Sequence, residues 1–386
     1  MSNRAFLDFY DTLEKVPVNQ LGAGSEYHFQ QRGALYRTLG ISPLVIQGHD
    51  VLEIGPGSGD NALHIASWQP KSLTLIDGSK ASIKSITAKI AQGCYGDNAK
   101  VFYQDISKQA LTDQYDVVLC EGLIPGQQEP SAFLQTVLAS VKPGGVCVFT
   151  TVSATSYLAE ICRRMVLPTV KRIIAEQQGS AQMLTQTLVQ LFQPSFNSLK
   201  GMSRKPEDWV TDNIIHNWTE RGLFSIEDAL NCLPSEFSFL GSSPNFMQDW
   251  RWYKDSAGSN VKALLTSYHQ WSGYLVDYRS SPQTAFPVDE GRELERLSQQ
   301  AMILHDKYRN NTCGNSEDLT VLTEFFSVLK CIAKSIATIL PATSQAIDDF
   351  IAGFELLQQG DLAADFKSFH QWFGRGQQYL SVIRDR

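Results

Sequence analysis

The stretch VLEIGPGSGDNALHIA, Val51 to Ala66, sets three glycines at alternate positions between a strand-like apolar run and a helix-like one. Glycine has no Cβ, so where a strand turns sharply into a helix a ligand can reach the backbone N–H groups of the helix N-terminus. Something anionic or polar belongs there. A dinucleotide fingerprint, G-x-G-x-x-G, needs a third glycine for close helix–strand packing. Counted from Gly55, that position is Asp60. The spacing is instead acidic-x-G-x-G-x-G, with Glu53 two residues before Gly55, Gly57 and Gly59 following.

Outward from this loop, residues 49 to 152 alternate short β-branched runs with helix-like segments, the pattern of a parallel sheet with crossover helices. The strand-like runs are DVLEIG, SLTLID, KVFYQD, YDVVLCEG and VCVFTTV, and KPGG (Lys142 to Gly145) turns the chain into the fifth. Further strand material is expected in EFSFLGSS and DWRWYKD (249 to 255), after a short helix that Ser225 and Asp228 cap as S-x-x-D. The intervening residues carry helical patterns, among them Leu184, Leu188, Leu191 and Phe192, and read as an insertion. Beyond 256, four apolar series at spacings of three and four begin at Val261, Leu294, Leu322 and Ile347, which predicts an antiparallel helical bundle. The expected divisions are an N-terminal helical cap (1–48), an α/β core (49–152), a helical insertion (153–224), a last helix and strands of the sheet (225–255), and a bundle with its tail (256–386).

The 386 residues are enough for several domains, and the hydrophobic (43%) and charged (19%) shares are those of a soluble chain. No run approaches the ~18 apolar residues of a membrane span, and the start has no signal-peptide core. The net charge of −7 argues against a nucleic-acid surface. Seven scattered cysteines without C-x-x-C, and seven histidines without metal-ligand spacing, point to reduced thiols, a cytoplasmic setting and no metal site.

Taken together, the acidic-x-G-x-G-x-G loop, Asp77 ending the second strand, Asp105 in YQDIS, Glu121 after the fourth strand and VKPGGVCVF make the chain resemble the class I S-adenosylmethionine-dependent methyltransferases over residues 25 to 255. The resemblance implies an α/β, Rossmann-like, doubly wound and mostly parallel sheet, here with a helical insertion and a C-terminal α-helical bundle added. It implies S-adenosyl-L-methionine as cofactor: Glu53, Gly55, Gly57 and Gly59 cradling the methionine part, Asp77 accepting from both ribose hydroxyls, Asp105 accepting from the adenine amino group, and Ile106 against the ring. Glu121 falls where the family places residues near the sulfonium and acceptor. In GSEYHFQQRGALYRTLG (24 to 40) the family's cofactor-covering segment makes Tyr27, His28 and Arg32 candidates, with Arg32 suited to the methionine carboxylate. Each has a plainer reading: strand-end carboxylates in solvent for Asp77 and Asp105, a helix cap for Glu121, a surface arginine for Arg32.

A methyl group on a sulfonium is already electrophilic, so orientation matters most, and a hydroxyl acceptor also needs its proton removed. His216, beside Trp218, is the candidate base together with Glu121; a structural histidine is the alternative. Asp249, Trp250, Arg251, Trp252 and Tyr253 gather polar and aromatic groups nearby in sequence. Arg163, Arg164, Lys171 and Arg172 of RRMVLPTVKR read as a solvated helix face rather than an anion site, and FHQWFGRGQQYLSVIR as a tail docked on the body. The expected function is methyl transfer to a small-molecule acceptor, a hydroxyl in glycan or secondary-metabolite modification, with the acceptor pocket between the strand ends and the insertion. The bundle is expected to be structural, free of cofactor contacts, and a homo-oligomer through the helical regions fits its apolar stripes. Two other readings stand beside it: an NAD(P)-dependent oxidoreductase, disfavoured by Asp60, and a catalytically silent cofactor-binding module whose bundle binds a protein.

Overall fold

The computed structural model describes residues 25–106, 111–199, 202, 205–216, 223–246, 251–256, 259–310 and 316–386. Residues 1–24 of the expected N-terminal cap, together with Trp218, Asp249 and Trp250, lie outside them. The described chain divides into two compact units, one of residues 1–152, 221–268 and 377–386, the other of 153–220 and 269–376.

The first unit is built on seven strands, β1 (Asp50–Ile54), β2 (Ser72–Asp77), β3 (Ala99–Tyr103), β4 (Tyr115–Cys120), β5 (Val141–Thr151), β6 (Phe237–Ser243) and β7 (Gln378–Arg384), in the order β3-β2-β1-β4-β5-β7-β6. β1 runs parallel to β2 and β4, placing Glu53 opposite Leu75 and Leu119. β7 alone runs antiparallel to its neighbours, with Leu380 opposite Phe149 and Val382 opposite Phe239. The near-continuous apolar character of β1 and β4 follows from burial on both faces, as parallel sheets require. Around the sheet lie α1 (Glu26–Thr38), α2 (Asp60–Ser67), α3 (Lys80–Ala91) and α4 (Pro130–Ala139). Ser25 and Ser79 cap α1 and α3 by accepting from His28 and Ser82 N–H, and Ser225 with Asp228 forms the anticipated capping box.

Two details depart from the sequence reading. KPGG lies within β5 as an irregularity: Val141 pairs with Tyr115 and Val146 with Val117, so residues 142–145 bulge out, Gly144 taking φ 81°. The DWRWYKD segment supplies no strand among its described residues; Tyr253–Asp255 is a single 3-10 turn with Trp252 and Tyr253 exposed. The missing strand comes from the tail. YLSVIR alternates in a way that an interior strand can bury, with Leu380, Ser381 and Val382 fully buried between β5 and β6.

In the second unit, α5 (Ala154–Glu176) is buried on almost every side and packs against α7 (Val288–Asn310), while α6 (Ala181–Ser198), α8 (Ser316–Ile336) and α9 (Pro341–Gln358) complete the helical body. A helix apolar all round belongs at the centre. The bundle's helices therefore group with the insertion, and the series beginning at Val261 lies largely in the first unit, up to Tyr268. The Glu295 carboxylate accepts from the first N–H groups of α5, Ala154 at 2.9 Å and Thr155 at 3.1 Å, satisfying helix-end donors and opposing the dipole favourably.

The basic run needs a correction. Lys171 and Arg172 are exposed, but Arg163 and Arg164 are completely buried. Arg164 donates to the carbonyls of Asn213 (2.8 Å) and His216 (2.6 Å), and Arg309 donates to those of Ile214 and Ile215, so two guanidiniums cap the carbonyls of a π-helical turn, Thr211–Ile215. Arg163 donates to the Trp372 carbonyl (2.5 Å) and lies over the rings of Phe373 and Phe369. No described helix is long and apolar enough to cross a membrane.

Interior placement of β7 is tested at Ser381, whose hydroxyl donates to the Leu39 carbonyl at 2.6 Å. Ser381→Ala is expected to cost about 1 kcal/mol, and Ser381→Pro, which removes a ladder donor from an interior strand, several times more. Chemical denaturation followed by circular dichroism reads both; a proline variant as stable as the parent would contradict the strand order.

Candidate functional site

The loop after β1 is left-handed at all three glycines: φ is 71° at Gly55, 58° at Gly57 and 78° at Gly59. At Gly59 a side chain is excluded twice over, by that φ and by the Tyr95 hydroxyl, which an added Cβ would strike. Tyr95 donates to the Gly59 carbonyl at 2.9 Å, and Lys89 donates to the Ser58 carbonyl at 2.7 Å while pairing with Asp60. Asp60, in the position of a third fingerprint glycine, is thus a buried ion-pair partner in the first turn of α2.

From the end of β2, Asp77 reaches across to this loop. Its carboxylate accepts from Gly57 N–H at 3.0 Å and from Ser79 N–H at 2.8 Å, so the residue expected to hold a ligand also braces the glycine turn. Asp105 and Ile106 follow the edge strand β3, with Ile106 buried and Asp105 half-buried. Nearby in the chain, Gln104 N–H binds the Asp77 carbonyl at 3.0 Å, and its buried side-chain Nε2 has no partner in the protein.

A second cluster stands on α1 and the end of β4. Arg32 Nη2 donates to both Glu121 oxygens, at 2.6 and 2.7 Å, and to the Tyr36 hydroxyl at 3.0 Å. Tyr36 in turn donates to Glu121 at 2.7 Å. Burial works against the Arg32 charge, but Glu121, Tyr36 and Tyr379 of β7 hold its pKa well above the ordinary value. His64 stacks on Tyr36 and meets Trp68 edge-on; burial first, then Arg32 and His28, push it down to about 4, so it is neutral at pH 7. Tyr27, by contrast, projects into solvent, 66% exposed.

Glu53 sits at the charged centre of these groups. It is buried, its Oε2 has no hydrogen-bond partner, and its pKa rises to about 8, chiefly through burial, then through the Glu121 carboxylate and Asp77, with Arg32 opposing. Glu53, the glycine loop, Asp77, Glu121 and Arg32 are therefore brought together by direct bonds or mutual fields. His216 belongs to the second unit, where it ends the π-helical turn; burial, then Arg164 and Arg309, lower it to about 4. Sequence reasoning missed Tyr36, Tyr95, Lys89, Gln104 and Tyr379. Only Tyr36 left a local signal, its spacing of four from Arg32 on one helical face.

Left-handed glycines backed by a carboxylate, with an unpartnered acceptor at Glu53 and an unpartnered donor at Gln104, suit a ligand bearing hydroxyls and an amino group. Among the described residues no group of histidine, cysteine or carboxylate side chains could hold a metal ion.

Residues 28–195 match the model of a family described as a methyltransferase domain. Over 122 residues the chain is 30% identical to a ubiquinone biosynthesis O-methyltransferase from Psychrobacter cryohalolentis, covering 30% of this chain and 46% of that one. Over 118 residues it is 25% identical to a protein of the same name from Paracidovorax citrulli, covering 30% and 47%. The chain spans just under half the length of these curated relatives. Among solved structures, a methyltransferase from Thiobacillus denitrificans in complex with S-adenosyl-L-homocysteine is 18% identical, covering 38% of this chain and 54% of that chain, with a TM-score of 0.28, too slight a likeness to bear on function.

The raised pKa of Glu53 has a consequence for stability. Folded protein keeps a proton that the unfolded chain releases, so this contribution is full below about pH 4.5 and is lost as pH rises through about 8. Glu53→Gln is expected to match the parent near pH 5 and to gain on it by about 4 kcal/mol by pH 9. Denaturation midpoints across that range test this; parallel pH profiles would contradict a protonated Glu53.

Proposed function

Given that this chain carries a class I S-adenosylmethionine-dependent methyltransferase domain, we propose that it moves the methyl group of S-adenosyl-L-methionine to a hydroxyl of a small-molecule acceptor. The observation that carries this reading is the switch point of the sheet, where β1 lies between β2 and β4. There the left-handed glycine loop and Asp77 present backbone donors and a carboxylate at the strand ends, where open α/β sheets take ligands. In this reading the loop backbone and Glu53 hold the methionine part, Asp77 the ribose hydroxyls, Asp105 the adenine amino group and Ile106 the ring face, with Tyr27 and Arg32 on the covering helix. The cofactor supplies an electrophilic methyl group; the protein's part is to hold the acceptor oxygen in line and exclude water.

The curated relatives are named as O-methyltransferases, which supports oxygen as the acceptor atom. Glycan or secondary-metabolite acceptors remain part of the proposal on the family resemblance, and a cytoplasmic setting on the free, dispersed cysteines. Homo-oligomerisation through the helical regions is proposed with it and is read by light scattering. Glu121 and His216 are the residues proposed to manage the acceptor proton. His216 is neutral at pH 7; Glu121 already accepts from Arg32 and Tyr36 and would act through that network. An oxidoreductase reading is disfavoured by the Asp60–Lys89 ion pair at the third-glycine position.

Calorimetric titration with S-adenosylhomocysteine and with NADH separates the two readings: heat with the first alone is expected, and heat with NADH alone would overturn methyl transfer. Asp77→Ala is expected to weaken S-adenosylhomocysteine binding by about 1 to 3 kcal/mol, the cost of unpaired buried polar groups. Unchanged affinity in a folded variant would remove Asp77 from the site. Glu121→Gln and His216→Ala are expected to lower kcat, His216→Ala with cofactor affinity retained; parental kcat in both from pH 6 to 9 would exclude them from acceptor chemistry.

A further inference from the structure

The first unit places Glu53, Asp77 and Glu121 on β1, at the end of β2 and just after β4, neighbouring strands of one sheet, and buries all three side chains. Arg32 is the cation that acts on Glu53, and it is committed to Glu121 through both carboxylate oxygens. Glu53 is left with an unpartnered, buried oxygen beside two other carboxylates. Such a group cannot hold its charge in the free protein without a counter-ion. We propose that ligand binding in the first unit is coupled to release of a proton from Glu53, the incoming positive charge replacing that proton as the counter-ion of its carboxylate. This rests on the S-adenosylmethionine reading and goes one step beyond it. The O–H bond of Glu53 breaks heterolytically, the proton leaves to solvent, and the carboxylate keeps the electron pair opposite the cationic end of the ligand.

The groups facing Glu53 agree with this from each element around it. Arg32 and Tyr36 come from α1, Asp77 from the end of β2, Cys120 and Glu121 from the end of β4, and Tyr95 from the segment after α3. Burial pushes Tyr36, Cys120 and Tyr95 upward, so at pH 7 all three are neutral and supply no countercharge. Burial first, then Glu121 and Asp77, set the proton on Glu53, and Arg32 acts against it. Glu121 therefore has an indirect part: by holding Arg32, it keeps that guanidinium from serving Glu53.

Three readouts test the coupling on the full chain. Infrared spectra of the free protein at pH 7 are expected to show a protonated-carboxyl band that Glu53→Gln removes. Calorimetry with S-adenosylmethionine at pH 7, in phosphate and in Tris, is expected to give heats that differ by about one proton released per site, with affinity rising about fivefold to tenfold from pH 6 to pH 7. S-adenosylhomocysteine, which keeps the ammonium group of the methionine part that Glu53 is proposed to face, is expected to release about as much. Glu121→Gln frees Arg32 for Glu53 and is expected to abolish both the band and the release, while Glu53→Gln binds, if more weakly, with heats independent of buffer. Parental binding with buffer-independent heat, or the same release in Glu53→Gln, would overturn the coupling while leaving the cofactor reading intact. Absence of heat with either compound would overturn the cofactor reading and the coupling with it, even if the free-protein band is present.

Discussion

The ion pair of Arg32 with Glu121 is the interaction on which the first unit's ligand side depends. A parallel sheet gathers its strand ends on one edge, and here those ends bear Glu53, Asp77 and Glu121. Isolated, such carboxylates would resist burial. One guanidinium, brought in on α1, neutralises Glu121 directly, and the Tyr36 hydroxyl completes its hydrogen bonding. Removing one partner of a buried pair usually costs about 3 to 5 kcal/mol, because the other charge is left uncompensated. The pair consequently fixes α1 against the end of β4, and Tyr379 draws β7 into the same field.

The second unit solves a related problem with different means. Its π-helical turn leaves carbonyls pointing away from a regular helical ladder, and Arg164 and Arg309 supply donors to four of them in sequence, Asn213 to His216. Arginine suits this because its planar fork offers several fixed donors and stays charged when buried. The same chemistry explains Arg163, held over two phenylalanine rings with the Trp372 carbonyl at its edge. In both units buried arginines join segments distant in sequence.

That distance is what limited the sequence reading. The five parallel strands and the glycine loop were legible because strand runs, turn residues and glycine spacing are local signals. Ser225 and Asp228 were legible for the same reason. The seventh strand was not: its pattern is short, it follows the whole helical region, and its partners β5 and β6 lie far back in the chain. A run of arginines on a helix likewise looks the same in sequence whether water or distant carbonyls meet it. The acidic positions of the site were readable one by one from their places at strand ends. Their mutual charge balance was not, because it depends on Arg32 lying within 2.6 Å of a residue 89 positions away.

This charge balance also bears on how methyl transfer, as proposed, would be helped by the protein. Glu121 is anchored by two partners, and a carboxylate so held is well placed to fix a neighbouring group but must disturb Arg32 and Tyr36 to take a proton outright. His64, although close to the cluster, is neutral and packed between aromatic rings, which suits it to shape the wall rather than to exchange protons. A sulfonium needs little chemical activation, whereas its acceptor must arrive within a narrow range of distance and angle, an alignment worth about 7 to 11 kcal/mol in favourable cases. A rigid network of paired charges serves that requirement directly. On the proposed reading the first unit serves orientation more than strong base catalysis, and Glu53, buried with an unpartnered oxygen, is the member of the network proposed to respond when charge arrives.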